Sequence, residues 1–131
     1  MPRLLPLLAA AALLLAVAAA PGSARTAHAA GYKTCRMSAT QAQHMGAGYI
    51  VDGQYKVQNV SCARGKDVIR AFHKCRAAHG GKVRGRCPRS ASVLGFHCRE
   101  GRRTSNGTEF TAAVTCVNGS RRVFHYYTNF T

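Results

Sequence analysis

Six cysteines, Cys35, Cys62, Cys75, Cys87, Cys98 and Cys116, are spread through the 131-residue chain, and the even count leaves none over. In a small exported chain such a set reads as three disulfides, which restricts the fold to ones that bring distant backbone segments within a few ångströms of each other. The spacing alone does not choose among the possible pairings. A Cys/His metal site is disfavoured because no CxxC pair and no HxxxH spacing occurs. A catalytic thiol would need an odd cysteine.

The oxidising compartment that disulfides require is announced at the N-terminus. Residues 1–29 read as a secretory signal peptide: Arg3 supplies the positive start, Leu4 to Ala20 is apolar except for Pro6, and Ala27-His28-Ala29 is a small-x-small cleavage motif. An uncleaved anchor is the rival, since the run approaches the length of a membrane span, but it is rich in alanine and a cleavage motif follows. The expected mature protein is residues 30–131, a single secreted domain.

Charge narrows the function classes. The chain holds 19 Lys plus Arg against 4 Asp plus Glu, and loss of Arg3 and Arg25 with the leader leaves 17 against 4, a formal net charge of +13. Four carboxylates are too few for a carboxylate-lined divalent metal site and leave little room for paired-carboxylate catalysis. No motif calls for a cofactor. Self-repulsion at this charge thins the stability margin, and each disulfide offsets it by about 2–4 kcal/mol.

Pattern reading gives an α+β domain, an antiparallel sheet packed by one main helix. Ser38 caps a short helix to Met45, and Asp52-Gly53 is expected to turn the chain between two extended pieces, YIV and QYKVQNV. Tyr55 and Val57 should face one side of the second piece, with Lys56 and Gln58 on the other. Ser61 caps the main helix, about Cys62 to His79, with an apolar stripe of Val68, Ala71, Phe72 and Cys75 opposite Lys66, Arg70 and Lys74. Gly80-Gly81 ends it. Strands are expected at 93–99, 108–117 and 121–128, the last two joined by an Asn118-Gly119 turn. Phe96, Cys98, Phe110, Ala112, Val114 and Cys116 should face the helix.

The stretches NVSCARGKDVIRAFHKC, RCPR, GFHCRE and VTCVNGSRRVFHY resemble a group of small uncharacterised secreted cysteine-containing proteins of high-GC Gram-positive bacteria, the actinobacteria. The likeness covers about residues 55 to 127. It implies an extracytoplasmic α+β domain and carries no activity with it. Cys62, Cys87, Cys98 and Cys116 match that group's usual cysteines, which implies that Cys35 and Cys75 form an additional bridge.

Basic residues cluster at Lys82, Arg84, Arg86 and Arg89, at Arg99, Arg102 and Arg103, and at Arg121 and Arg122. If these loops adjoin, they form a field that attracts polyanions, with guanidinium forks suited to phosphate oxygens. Outside a cell such partners include teichoic acid, an anionic lipid surface and extracellular nucleic acid. Phe124, Tyr126 and Tyr127 beside Arg121 and Arg122 could stack bases, although core packing explains at least half of these rings. The candidate polyanion-binding residues are Lys82, Arg84, Arg86, Arg102, Arg103, Arg121 and Arg122. The competing reading is a solvated basic surface.

Two further readings are weaker. Cys87-Pro88-Arg89-Ser90 resembles the Cys-Pro-x step of secreted subtilisin inhibitors, and a pinned loop presenting Arg89 would suit a secreted trypsin-like protease. His97 and His125, on strands of one sheet, could act as acid and base on a phosphodiester, as in a secreted nuclease. Glu100 and Glu109 read as surface ion-pair partners of neighbouring arginines, and no nucleophile elbow is present. Four Asn-x-Ser/Thr triplets occur, two of them in Asn-Gly turns that backbone conformation already explains. The expectation is a non-enzymatic, cationic, secreted binding domain.

Overall fold

The computed structural model describes residues 31–131, so the expected signal peptide lies outside the described residues. Nine elements follow in chain order: β1 (Lys33–Arg36), α1 (Ala39–Gln43), β2 (Tyr49–Gln58), α2 (Cys62–Ala78), β3 (Ser92–Val93), β4 (Phe96–Glu100), β5 (Thr104–Ser105), β6 (Glu109–Asn118) and β7 (Arg121–Phe130). They build the expected α+β architecture. The strands form one seven-stranded antiparallel sheet in the order β1-β2-β7-β6-β4-β3, with β5 pairing onto β6 beyond the end of β4.

Both helices begin where sequence chemistry places them. Ser38 accepts from the Gln41 N–H while the Gln41 side chain accepts from the Ser38 N–H, a reciprocal cap. Ser61 accepts from the Arg64 N–H at 3.1 Å, a contact worth about 1 kcal/mol. The buried stripe of α2 is Gly65, Val68, Ile69, Phe72, His73 and Arg76. Relative to the expected stripe it is rotated toward Ile69 and includes two residues that a polarity pattern assigns to solvent.

Alternation along the strands holds as expected. Tyr55, Val57, Phe96, Cys98, Phe110, Ala112, Val114, Cys116, Val123 and Tyr127 are buried on the face that receives Val68, Ile69 and Phe72 of the helix. Each large apolar side chain enclosed there contributes about 1.5–3 kcal/mol.

Three local expectations are corrected. Asp52 and Gly53 both take positive φ, 53° and 61°, but they do not reverse the chain. Tyr49 and Ile50 before them and Tyr55 to Gln58 after them pair with the same strand β7, so the dipeptide is an outward bulge within β2, anchored where the Met37 N–H donates to the Gly53 carbonyl at 2.9 Å. The expected strand at 93–99 is instead two strands, because Leu94 and Gly95 at φ 52° and 85° make a two-residue hairpin between Val93 and Phe96. Asn118 pairs with Arg121, which moves the last turn one residue on, to Gly119 and Ser120.

The disulfides also differ from what the resemblance implies. Cys35 and Cys75 are not partners; the bridges are Cys35–Cys62, Cys75–Cys87 and Cys98–Cys116. Edge strand β1 carries Cys35 beside the start of α2, while Cys75 lies in the last turns of that helix, over the loop that holds Cys87. The third bridge joins residues directly opposed on β4 and β6. The bridges fasten the sheet edge to the helix start, the helix end to its exit loop, and two strands to each other.

Close approach of α2 to β2 depends on Gly65, where a Cβ would come within 2.5 Å of Val57 Cγ1 and 3.2 Å of the Tyr55 ring. Alanine ordinarily stabilises a helix interior by about 1 kcal/mol over glycine. Here Gly65→Ala is expected to destabilise the domain by about 1–3 kcal/mol through overpacking, read as a lower urea midpoint; an unchanged or raised midpoint refutes the packing described.

Candidate functional site

The sheet face opposite α2 carries the alternate residues of each strand, which are exposed or half-buried where their neighbours are buried. Register places them in rows that cross the strands. One row runs Thr34, Lys56, Phe124, Thr115, Arg99 from β1 to β4. The next runs Gln58, Arg122, Val117, His97, Ser92. Tyr126, half exposed at 50%, stands two residues beyond Phe124 on the same side of β7, and the two rings meet edge to face at 5.0 Å and 88°. The face therefore has aromatic rings at its centre, with Lys56 on one side across the strands, Arg99 on the other, and Arg122 two residues before Phe124 along β7 itself.

Two depressions flank those rings. One, of about 470 Å³, is lined by Arg89, His97, Arg99, Thr115 and Val117. The other, of about 380 Å³, is lined by Thr34, Val51, Asp52, Gln54, Lys56, Phe124 and Tyr126. Both fall in the size range of about 300–1,000 Å³ typical of ligand sites. Lys56 and Arg99 are three strand spacings apart, about 14 Å.

The carboxylates are engaged elsewhere. Asp67 pairs with Arg70 at 3.3 Å on the helix surface. Glu109 accepts from the Tyr49 hydroxyl and the Asn106 amide. Glu100, expected at the surface, is instead enclosed, with a side chain only 5% exposed, and it meets Arg103 at 2.6 Å, Arg86 at 3.4 Å and Arg76 at 3.5 Å. Asp52 borders the open face beside the rings, and Glu109 lies on that face at the far end of β6. Among the described residues, the ion pairs do not include Lys56, Arg99 or Arg122.

Beneath the sheet lies a second polar cluster that sequence patterning did not suggest. Arg76 is fully buried: its guanidinium donates to the carbonyls of Gly85 at 3.2 Å and Ala47 at 2.8 Å, and stacks on the Tyr127 ring at 4.2 Å. It also donates to His73 Nδ1 at 3.1 Å. Because arginine can only donate, neutral His73 carries its proton on Nε2 and donates to His125 Nε2, 3.2 Å away. That assignment leaves the proton of neutral His125 on Nδ1, a buried atom with no hydrogen-bond partner. Burial, then the neighbouring His125 and Arg76, hold His73 well below its ordinary range, and burial with Arg76 lowers His125 to about 3. Burial pushes the Tyr127 hydroxyl up to about 12.

Of the basic clusters proposed from sequence, the 82–86 loop and Arg102–Arg103 adjoin, with Arg86 and Arg103 sharing Glu100, but the Arg121–Arg122 hairpin lies apart from them. Lys82, Arg84 and Arg86 lie in the loop after α2, where Asn129 donates to the Lys82 carbonyl at 2.6 Å, while Arg121 stands eight residues back along the extended strand β7, about 26 Å away. Arg103 is withdrawn from ligand contact: it is bound by Glu100, donates to the carbonyls of Arg84 and Gly85, and stacks on Phe110. Arg102 is exposed near it, and Arg122 alone of the proposed set lies on the open face. Arg89 sits in a tight turn closed by the Ala91 N–H to the Pro88 carbonyl at 3.0 Å, rather than on an extended segment. His97 and His125 occupy opposite faces of the sheet, one exposed and one 1% exposed, so they do not form an acid–base pair. Tyr127 is a core residue, which leaves Phe124 and Tyr126 of the three proposed rings at the surface, where Phe130 is exposed as well. Comparison with known proteins returned no match to a family model, a curated protein or a solved structure.

The buried imidazoles set a sign for pH dependence. Both are neutral in the fold, whereas the unfolded chain takes up protons on them as pH falls through about 6.5. Their contribution is thus complete above that pH and is lost on acidification toward the folded-state value. Between pH 7 and 5 the unfolding free energy is expected to fall by about 4 kcal/mol, about 2 for each imidazole, and a His125→Leu variant should lose about half of that dependence. Urea titrations at the two pH values decide it; equal stability at both contradicts a neutral buried pair.

Proposed function

We propose that this is a non-enzymatic, secreted cationic domain that binds anionic extracellular or cell-envelope polymers on the open face of its sheet. The observation that carries the reading is the row Lys56–Phe124–Thr115–Arg99 beside Arg122 and His97: cations held on rigid strands, without carboxylate partners, around two shallow depressions. Guanidinium and ammonium groups fixed in this way meet phosphate or sulfate oxygens without ordering a loop first. The surroundings agree with export. The three disulfides point to an oxidising, extracellular-type environment, and no helix among the described residues is long and apolar enough to cross a membrane.

A charge-matched pair of variants separates a site from a diffuse field. Lys56→Gln/Arg99→Gln/Arg122→Gln and Lys82→Gln/Arg84→Gln/Arg86→Gln each remove three positive charges. On a phosphocellulose column the first should elute at markedly lower salt than the parent, and the second close to it. Equal shifts for the two would mean that net charge alone governs retention, and the proposed face would be abandoned.

A further inference from the structure

Resting on the reading that the open face binds an anionic polymer, we propose that the polymer is single-stranded nucleic acid, one of whose bases stacks on Tyr126 while Lys56 and Arg99 hold its phosphates. The argument turns on what occupies the middle of the face. A surface that recognised only a phosphate backbone, such as that of a teichoic acid, would gain from cations and hydroxyls at its centre. Here the centre is Phe124 and Tyr126, and Tyr126 is half exposed, whereas Tyr55 and Tyr127 on the other face are buried.

Phe124, half-buried and edge-on to Tyr126 at 5.0 Å, limits the rotation of the outer ring, so a face for stacking is held in place before the ligand arrives. Single strands expose base faces that duplexes hide, and base–aromatic stacking tolerates any sequence. The cations lie to either side of the rings rather than over them, about 14 Å apart from Lys56 to Arg99. Phosphates on both sides of a stacked nucleotide would meet them, and the depressions that Arg99 and Lys56 themselves line offer room for the neighbouring nucleotides. Gln54 and Thr115 line these depressions with amide and hydroxyl groups able to contact sugar or base edges.

The test is fluorescence anisotropy with the disulfide-bonded domain and three labelled probes: a twelve-nucleotide oligothymidylate, an abasic strand of equal length, and a duplex of equal length. The oligothymidylate should bind about tenfold or more tightly than the abasic strand. Tyr126→Ala should reduce it to the abasic level, and Tyr126→Phe should restore it. Lys56→Gln/Arg99→Gln should weaken both single-stranded probes alike. Equal affinity for the abasic strand, an unaltered Tyr126→Ala variant, or a duplex bound as tightly as the single strand would each overturn the assignment to single-stranded nucleic acid while leaving a phosphate-binding face intact. Loss of all binding to phosphate-bearing probes would remove the underlying reading as well.

Discussion

Enclosing the Arg76 guanidinium costs several kcal/mol unless its charge and its donors are met, and the way they are met organises both layers of the protein. Its donors reach the carbonyls of Ala47, before β2, and Gly85, in the loop after α2. Its face lies on Tyr127 in the central strand, and its charge is answered by Glu100 at the end of β4. One side chain therefore fixes the end of the helix, the exit loop and the sheet in a single arrangement. The Cys75–Cys87 bridge closes the same loop covalently.

That arrangement has an electrostatic consequence on the far side of the sheet. With only four carboxylates in the chain, the commitment of Glu100 to three arginines beneath the sheet removes it from the surface, Asp67 is paired on the helix, and Glu109 is held by Tyr49 at the far end of β6. The open face keeps Lys56, Arg99, Arg122 and His97, with Asp52 beside the rings and Glu109, bound to Tyr49 and Asn106, at its far end. The buried network and the cationic face are two results of the same shortage of negative charge.

The parts of this fold that were legible in the sequence are those set by local rules. Ser38 and Ser61 announce helix starts through side-chain capping, and alternation along 109–118 separates Phe110, Ala112, Val114 and Cys116 from their neighbours. What pattern reading missed depends on tertiary context. Residues 69, 72, 73 and 76 have helical spacing, but His73 and Arg76 count as polar until a histidine partner and a buried carboxylate are in place. Asp52-Gly53 has the chemistry of a hairpin turn, and only the shared partner strand shows it to be a bulge. Leucine at positive φ is uncommon, so Leu94 gave no sign of the turn it makes. The binding face was half visible: alternation puts Lys56 opposite Tyr55 and Val57, but nothing local indicates that β7 lies between β2 and β6, and that order is what sets Lys56, Phe124, Thr115 and Arg99 in one row.

Two regions compete as the seat of binding, the open sheet face and the basic loop 82–86, and they lie on different parts of the molecule. Amide chemical-shift mapping of the isotope-labelled domain during titration with short-chain polyphosphate distinguishes them residue by residue. The account predicts that Lys56, Arg99, Arg122, Phe124 and Tyr126 move first and farthest, with Lys82 to Arg86 nearly still. Shifts concentrated in Lys82 to Arg86, or spread evenly over all exposed basic residues, would contradict it.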